Sequence, residues 1–242
     1  MVQGAMVVTV CNRIPQESYY CLQSWIKSLG NIKPLVLGSL PGEYNGLASK
    51  PKLVYKAIKE GVIDSQYIIF TDCWDLVFST ELEEVLETFM AFNSPFVISA
   101  ERNCFPATLR DEYDKLSFTS SFKYLNSGMI IAETEAMLTV LEAMDLANVP
   151  DDHWDDINKR MVHPNDQEMY QQMFLKQPVK MTLDYDQILC ATMHDVKEED
   201  LNFDKERIRI RETGTYPCSF HFNGGSKTGG LMQPILKHLN LV

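Results

Sequence analysis

Two carboxylates that directly follow an apolar run are the residues of this sequence most suited to chemistry. Tyr67 to Phe70 is a short strand-like run, and Asp72 and Asp75 follow it three positions apart. In open α/β sheets, ligands bind beyond the carboxyl ends of the strands. A metal-bound phosphate ester needs one or two carboxylates there, with water and phosphate oxygens completing the coordination. The pattern favours a site for a divalent cation and a nucleotide diphosphate, although an Asp after a strand is also a common turn former or helix N-cap.

Four later segments carry polar side chains where a strand or turn is predicted. They are the segments 96–101, 124–128, 164–168 and 220–227. The first is a buried strand ending in Glu101, and the second is predicted to be a flexible turn. The third is predicted to start a helix, with Asn165 as N-cap and Glu168 at the third helical position. In the fourth, His221 enters a glycine-rich turn that ends in Lys227, which can approach phosphates as a point charge.

Each of these segments also has a purely structural explanation. Asn126, Ser127 and Gly128 form a common turn sequence. Asp166 is a favourable first-turn carboxylate on a helix dipole. His221 lies between two phenylalanines and fits a buried core histidine. The combination favours a site, because one chain offers a carboxylate pair, a His at a strand end and a Lys flanked by glycines.

The elements that must hold these residues alternate between strand and helix in the first half. Strands are predicted at 5–10, 34–37, 67–70, 95–99 and 129–131, and helices at 17–29, 52–60 and after a capping box at 80–83. This alternation predicts an α/β layer architecture with parallel strands and crossover helices. Further on, a helix near 165, short strands at 179–183, 206–211 and 218–222 and an amphipathic tail are predicted. We expect one domain over 1–242, with a nucleotide-binding part over about 1–130 and an acceptor-side part over about 131–242.

Composition narrows the class of partner. The net charge of −11 argues against a wide basic surface that tracks nucleic-acid phosphates. Arg207, Arg209 and Arg211 alternate with isoleucines and would share one strand face, either as a small basic patch or as a solvated face balanced by Asp204 and Glu206.

The sequence also predicts where the protein works. No apolar stretch reaches the roughly 20 residues of a membrane span, and no secretory signal is recognisable. The six cysteines show no CxxC pair, which is typical of reduced thiols. We therefore expect a protein without a membrane span, in the cytoplasm of a bacterial or virus-infected cell; its oligomeric state is not predicted.

A set of motifs in this order resembles the glycosyltransferase domain of procollagen lysyl hydroxylases, which has stand-alone relatives in viruses and bacteria. The motifs are FTDCWD at 70–75, SAE at 99–101, CFP at 104–106, YLNSG at 124–128, NDQ at 165–167, FDKERIRIR at 203–211 and HFNG at 221–224. The similarity spans nearly the whole chain, from the first strand to Lys227.

This resemblance implies a GT-A fold, in which a Rossmann-like, mostly parallel sheet is flanked by helices and followed by a smaller mixed acceptor-side part. It also implies transfer of a hexose from a UDP-sugar, UDP-glucose or UDP-galactose, to a hydroxyl acceptor. Mn²⁺ is the cation expected, with Mg²⁺ as an alternative. Two hard oxygens and one imidazole suit Mn²⁺ better than Ca²⁺.

The family's functional residues match this chain position by position. The metal ligands match Asp72, Asp75 and His221. Donor-binding positions match Thr9, Val10, Asn12, Lys50, Gly224 and Lys227, with Asn126 near the sugar. Catalytic-side positions match Asp166, Asn126 and Glu101. The helix dipole is expected to keep Asp166 ionised.

Two positions depart from the family pattern. Phe105 stands where the family has Trp, which would reshape the acceptor pocket. Asn165 replaces the first residue of an acidic pair and leaves Asp166 as the main carboxylate there.

The sequence is compatible with two other functions. One is an inactive module that only binds a nucleotide sugar, and another is a metal-dependent phosphohydrolase or nucleotidyltransferase that reacts at phosphorus. The acceptor hydroxyl could belong to a hydroxylysine-like side chain, a glycan precursor or a hydroxymethylated base, the last being the single route by which nucleic acid would be a partner.

Overall fold

The computed structural model describes residues 4–12, 19–28, 30, 33–227 and 230–242. Its strands are β1 Ala5–Val10, β2 Leu35–Leu37, β3 Tyr67–Thr71, β4 Leu76–Phe78, β5 Phe96–Glu101, β6 Tyr124–Glu133, β7 His153–Asp155, β8 Arg160–Val162, β9 Met181–Asp184, β10 Cys190–Thr192, β11 Leu201–Phe203, β12 Ile208–Ile210 and β13 Ser219–His221. Its helices are α1 Tyr19–Ser28, α2 Ser49–Lys59, α3 Leu82–Ala91, α4 Arg110–Tyr113, α5 Thr134–Ala143, α6 Asp166–Lys176 and α7 Met232–His238.

The main sheet has the strand order β2-β1-β3-β6-β5-β9. Its neighbours pair in parallel except for β6, which runs antiparallel to both β3 and β5. The predicted mostly parallel α/β sheet is therefore confirmed, and β6 is the exception. Between β5 and β6 the chain forms a short 3-10 turn and the four-residue α4, too little for a crossover helix, so it returns beside β5 in the opposite direction.

Helices cover both faces of this sheet, as an α/β layer architecture requires. Alternate residues of β3 point to opposite faces: Ile68 packs in the same core cluster as residues of α2, α5 and α6, and Ile69 packs with residues of α1 and α3. Burial on both faces explains why the run 67–70 is apolar throughout rather than alternating.

Several predicted elements are found close to their predicted bounds. The predicted helix 17–29 is α1, and its residues 17, 18 and 29 lie outside the described part of the chain. The amphipathic tail is α7, with Ile235 and Leu236 buried. Since β9 of the second half joins the main sheet, strands from both halves share one core; the division into two parts near residue 130 stays a prediction.

The predicted capping box at 80–83 is wrong. Helix α3 begins at Leu82, with Glu81 at the N-cap and no side-chain cap bond. The Thr80 hydroxyl instead donates to the carboxylate of Glu84. The local sequence matches a capping box, but the hydroxyl of Thr80 bonds a side chain in the first turn of the helix and not a backbone N–H.

The segment Asn126 to Gly128 is not a turn, contrary to prediction. It lies inside β6, where the register with β5 shifts between Ile98 and Ala100. Ile98 pairs with Ile130 and Ala100 with Leu125, so several residues of β6 oppose Ser99 alone. Such a bulge releases residues from the regular ladder and redirects their side chains.

The three arginines at 207, 209 and 211 contact other groups of the same chain. The guanidinium of Arg207 lies 2.7 Å from Glu84, Arg209 donates to the carbonyl of Gly214, and Arg211 donates to that of Leu201. These contacts favour the structural explanation over a basic patch, although the acidic partner is Glu84 and not the neighbours expected.

Two further expectations concern disulfides and membrane-spanning helices. The six cysteines, all within the described ranges, form no disulfide. Among the residues that the structure describes, no helix combines the length and apolarity that a bilayer crossing requires.

We expect Asp184→Asn to destabilise the fold. The Asp184 carboxylate is 0% exposed and accepts backbone N–H groups of Ile188, Leu189 and Cys190 at 2.9, 2.8 and 2.9 Å. An amide would turn an NH₂ group toward at least one of these donors, at a cost of about 1–3 kcal/mol in the free energy of unfolding. Urea titration measures this loss. Asp186→Asn, two residues away and exposed, should change it by less than about 0.5 kcal/mol.

The loss should also depend on pH. Burial raises the pKa of Asp184 to about 6 from the ordinary 3.8, against the lowering effect of its N–H partners. Because the folded-state pKa is the higher one, the stability that this group contributes is present at about pH 4 and is lost as the pH rises through about 6. The difference in the free energy of unfolding between wild type and Asp184→Asn should therefore be larger at pH 5 than at pH 8. An equal difference at both values would contradict this assignment.

Candidate active site

The carboxylate pair lies at the carboxyl end of β3, as the sequence predicts. Asp72 follows the last residue of β3, and its backbone N–H donates to the carbonyl of Gly128 at 2.8 Å. Asp75 directly precedes β4 and is buried. The three-residue spacing therefore spans the turn from β3 of the main sheet to β4 of a second sheet with the order β10-β13-β4.

That second sheet brings His221 to the carboxylates. His221 ends β13 and pairs with Leu76, the residue after Asp75. Its Nε2 lies 3.6 Å from Asp72 Oδ2 and 3.4 Å from Asp75 Oδ2. One ligand atom from each residue lies within 4.8 Å of the others, a separation that a single cation could bridge. His221 is thus both a buried histidine and a member of a potential metal cluster.

Hydrogen bonds around Asn126 determine the tautomer of His221. Asn126 Oδ1 accepts the N–H of Gly128 at 3.0 Å, and Asn126 Nδ2 donates to Glu101 Oε1 at 3.0 Å. The amide oxygen therefore faces His221 Nδ1, also at 3.0 Å, and Nδ1 carries the proton. Nε2 is left as a lone-pair donor toward Asp72 and Asp75, the arrangement found in metal-binding histidines.

Gly128 provides the space that the imidazole occupies. A Cβ at this position would lie 2.0 Å from Cε1 and 2.4 Å from Nδ1 of His221, far inside van der Waals contact. The glycine is required by this close approach and not by a turn.

Lys50 connects the carboxylate pair to Asp166. Its Nζ lies 2.6 Å from Asp72 Oδ1 and 3.4 Å from Asp166 Oδ2. Burial lowers the pKa of Lys50, but Asp166 and Asp72 outweigh it and hold this pKa above its ordinary value. Lys50 is thus a permanent cation between two carboxylates.

The start of α6 positions Asp166. As predicted, Asn165 is the N-cap, and its side chain accepts the N–H groups of Gln167 and Glu168. Ser127 Oγ donates to Asp166 Oδ2 at 3.2 Å. The helix dipole does not dominate: burial raises the pKa of Asp166, with Lys50 as the main opposing influence. An ionised Asp166 therefore depends on Lys50.

Two cavities meet at these residues. The larger, of about 470 Å³, is lined by Glu101, Asn126, Asp166, Gly224 and His221 among others. The smaller, of about 250 Å³, is lined by Val10, Cys11, Asn12, Tyr44, Cys73 and Trp74 among others. Leu47, Lys50, Asp72 and Asp75 line both. The carboxylate pair and Lys50 thus stand at the junction between two compartments.

Among the predicted site residues that the structure describes in full, all but Thr9 line one of these cavities. Thr9 is fully buried and donates its hydroxyl to the carbonyl of Thr71 at 2.8 Å, so it supports the strand behind the smaller cavity and does not line it. The backbone of Lys227 ends the 3-10 turn Gly224–Lys227, but its side chain lies outside the described part of the structure.

Several residues of the two walls are not among those predicted from the sequence. Tyr44 and Trp74 line the smaller cavity, and Arg110, His194 and Asn223 line the larger one. The position of Trp74 between the two aspartates was an available signal, as was that of Asn223 two residues after His221. Tyr44, Arg110 and His194 had none, because tertiary contacts alone bring their segments to the cavities.

The chain matches a known protein family. A family model described as the PLOD GT domain matches residues 26–232. The rat multifunctional procollagen lysine hydroxylase and glycosyltransferase LH3 is 26% identical over 172 residues, which is 68% of this chain and 21% of that protein. Human procollagen-lysine,2-oxoglutarate 5-dioxygenase 2 shows the same figures. The chain spans about a fifth of the length of these curated relatives.

Solved structures share the fold at low sequence identity. A glycosyltransferase involved in glycosylation of the major capsid of PBCV-1 has a TM-score of 0.53 at 12% identity, covering 99% of this chain and 100% of that one. The galactosyltransferase LgtC, in complex with donor and acceptor sugar analogs, has a TM-score of 0.51 at 12% identity, covering 98% and 95%. The fold is that of GT-A glycosyltransferases, and the chain belongs to the PLOD GT domain family.

Proposed function

We propose that this protein is a metal-dependent glycosyltransferase that moves a hexose from a UDP-sugar, UDP-glucose or UDP-galactose, to a hydroxyl acceptor. The observation that carries the proposal is the cluster of Asp72, Asp75 and His221 at the junction of the two cavities. In this assignment the nucleoside occupies the smaller cavity and the hexose and acceptor occupy the larger one. The donor diphosphate then lies between them, beside the cluster.

The three ligand residues fit a divalent cation. They offer carboxylate oxygens and an imidazole nitrogen whose lone pair is directed at them, a donor set suited to Mn²⁺ and also acceptable to Mg²⁺. A bound cation would offset the negative charge that develops on the departing UDP. Three protein ligands leave coordination positions for diphosphate oxygens and water.

Lys50 and Asp166 are assigned to the reacting end of the donor. Both line the larger cavity beside the cluster. Lys50 balances the charge of Asp72 and keeps Asp166 ionised by its proximity. An ionised Asp166 can orient the acceptor hydroxyl or stabilise the positive charge that builds up at the anomeric carbon.

The acceptor is proposed to enter past Phe105. Phe105 is 63% exposed and lines the larger cavity, so it offers an apolar platform at the place where the family pattern has Trp. The names of the two matched relatives contain the words procollagen lysine. We propose the coarser class for this chain, a hydroxyl on a protein side chain or a glycan.

We expect Asp72→Asn to lower the rate of Mn²⁺-dependent UDP release from a UDP-hexose by on the order of 100-fold, because a charged ligand of the cation is lost. UDP formation with and without a hydroxyl acceptor measures the effect. Asp64→Asn, an exposed carboxylate on the loop before β3, is the matched control and should leave the rate unchanged. Products cleaved at phosphorus, such as UMP and hexose phosphate, would identify a phosphohydrolase instead. Donor binding without turnover would identify a binding module.

Asp166→Asn should separate chemistry from metal binding. Transfer should fall by on the order of 100-fold because a charge beside the reacting carbon is removed. Mn²⁺ affinity should stay within a few-fold, since Asp166 is outside the ligand cluster. Electron paramagnetic resonance titration gives the affinity and product assays give the rate. Full transfer in this variant would remove Asp166 from the proposed mechanism.

Gly128→Ala should weaken Mn²⁺ binding by roughly tenfold or more, because the new methyl group takes the place of the His221 ring. Calorimetric titration with Mn²⁺ measures the change. Gly225→Ala is the matched control, since a Cβ there meets no atom within 4 Å. Unchanged Mn²⁺ affinity in Gly128→Ala would mean that the position of the ring is not needed for metal binding.

A further inference from the structure

Glu101 is a buried carboxylate that joins three separate parts of the site. It ends β5 and is 3% exposed. Its Oε1 accepts Nδ2 of Asn126 at 3.0 Å and Nε2 of Gln167 at 2.8 Å. Its Oε2 accepts Nδ2 of Asn223 at 3.0 Å. One anion therefore binds β6, the first turn of α6 and the turn that follows His221.

These bonds orient three side-chain amides. With each NH₂ group directed to Glu101, each amide oxygen faces a defined donor elsewhere. Asn126 presents its oxygen to the ring of His221 at 3.0 Å. Gln167 accepts the N–H of Ser127 at 3.0 Å, and Asn223 accepts the N–H of His194 at 2.9 Å. The carboxylate thus acts through amides on segments that carry His221, Asp166 and Gly224.

The same contacts leave Glu101 poorly placed for proton transfer. A carboxylate has about four in-plane acceptor positions, and three of those of Glu101 are occupied by amide N–H groups. A general base needs a lone pair directed at the acceptor hydroxyl. The family resemblance assigns Glu101 to the catalytic side, whereas its hydrogen bonds favour a structural role.

We propose that Glu101 is a positioning residue, whose hydrogen bonds to three amides hold Asn126 behind the metal-ligand His221, the start of α6 and the turn after β13 in one arrangement. The inference rests on the proposed metal site. It assigns to Glu101 no contact with the acceptor proton.

A charge-relocation cycle between positions 101 and 223 tests this assignment. In Asn223→Asp two carboxylates would face each other at the 3.0 Å contact, so Mn²⁺ affinity should fall about 10- to 100-fold. In Glu101→Gln the amide oxygen can still accept from Asn126 and Gln167, and only at the contact with Asn223 would a donor face a donor. Mn²⁺ affinity should therefore fall only a few-fold. The double variant restores a donor facing a carboxylate, with the charge moved to position 223. It should regain Mn²⁺ affinity and transfer rate to within a few-fold of wild type.

Mn²⁺ affinity by electron paramagnetic resonance, transfer rate and melting temperature are measured for all four proteins. Glu133→Gln, an exposed carboxylate at the end of β6, is the matched control and should match wild type in all three. If Glu101 were the base, Glu101→Gln and the double variant would both lose transfer by orders of magnitude with normal Mn²⁺ affinity, which would overturn the inference. Unchanged Mn²⁺ affinity in Asn223→Asp would overturn it as well.

These outcomes are distinct from failure of the proposed function. If wild-type protein bound no Mn²⁺ or released no UDP from any UDP-hexose, the proposed function itself would fail. If wild type does both and the cycle shows no rescue, only the role of Glu101 fails.

Discussion

The pairing of β13 with β4 places an imidazole from near the end of the chain beside two carboxylates from its first third, and the rest of the site depends on that contact. His221 lies opposite the residue that follows Asp75, so strand register and not loop conformation brings its ring next to the carboxylates. Glycine at 128 leaves room for the ring, and the amide of Asn126 selects its tautomer. Backbone pairing thus positions the donor set, as a preorganised electrostatic site requires.

Charge balance is the second constraint on this site. Asp72, Asp75, Asp166 and Glu101 all line the larger cavity, and all but Asp72 are buried, an arrangement that like-charge repulsion and desolvation both oppose. Two devices offset the cost. Lys50 lies between Asp72 and Asp166, and amide N–H groups surround Glu101. Asp72, Asp166 and Glu101 therefore have distinct environments, which supports the separate roles proposed for them: cation binding, action at the sugar and positioning.

The bulge in β6 shows how the sheet accommodates this polarity. A regular ladder would leave no room for Asn126, Ser127 and Gly128 to direct side chains and close backbone contacts toward His221 and α6. The register shift against β5 frees these residues while the apolar positions on either side remain paired with their neighbours. Local departure from ideal sheet geometry is thus confined to the stretch where the site needs it.

Much of the fold could be predicted from local patterns in the sequence, and the candidate metal ligands from the motifs that resemble a known family. The apolar run before Asp72, the N-cap at Asn165 and the ordered motifs led to an α/β sheet of the GT-A class and to three candidate ligands. The bulge, the antiparallel direction of β6 and the contacts of Glu101 were decided by tertiary structure alone. Residues far apart in the chain supply the partners in each case, so that no local pattern records whether a carboxylate faces solvent, a substrate or three amide groups.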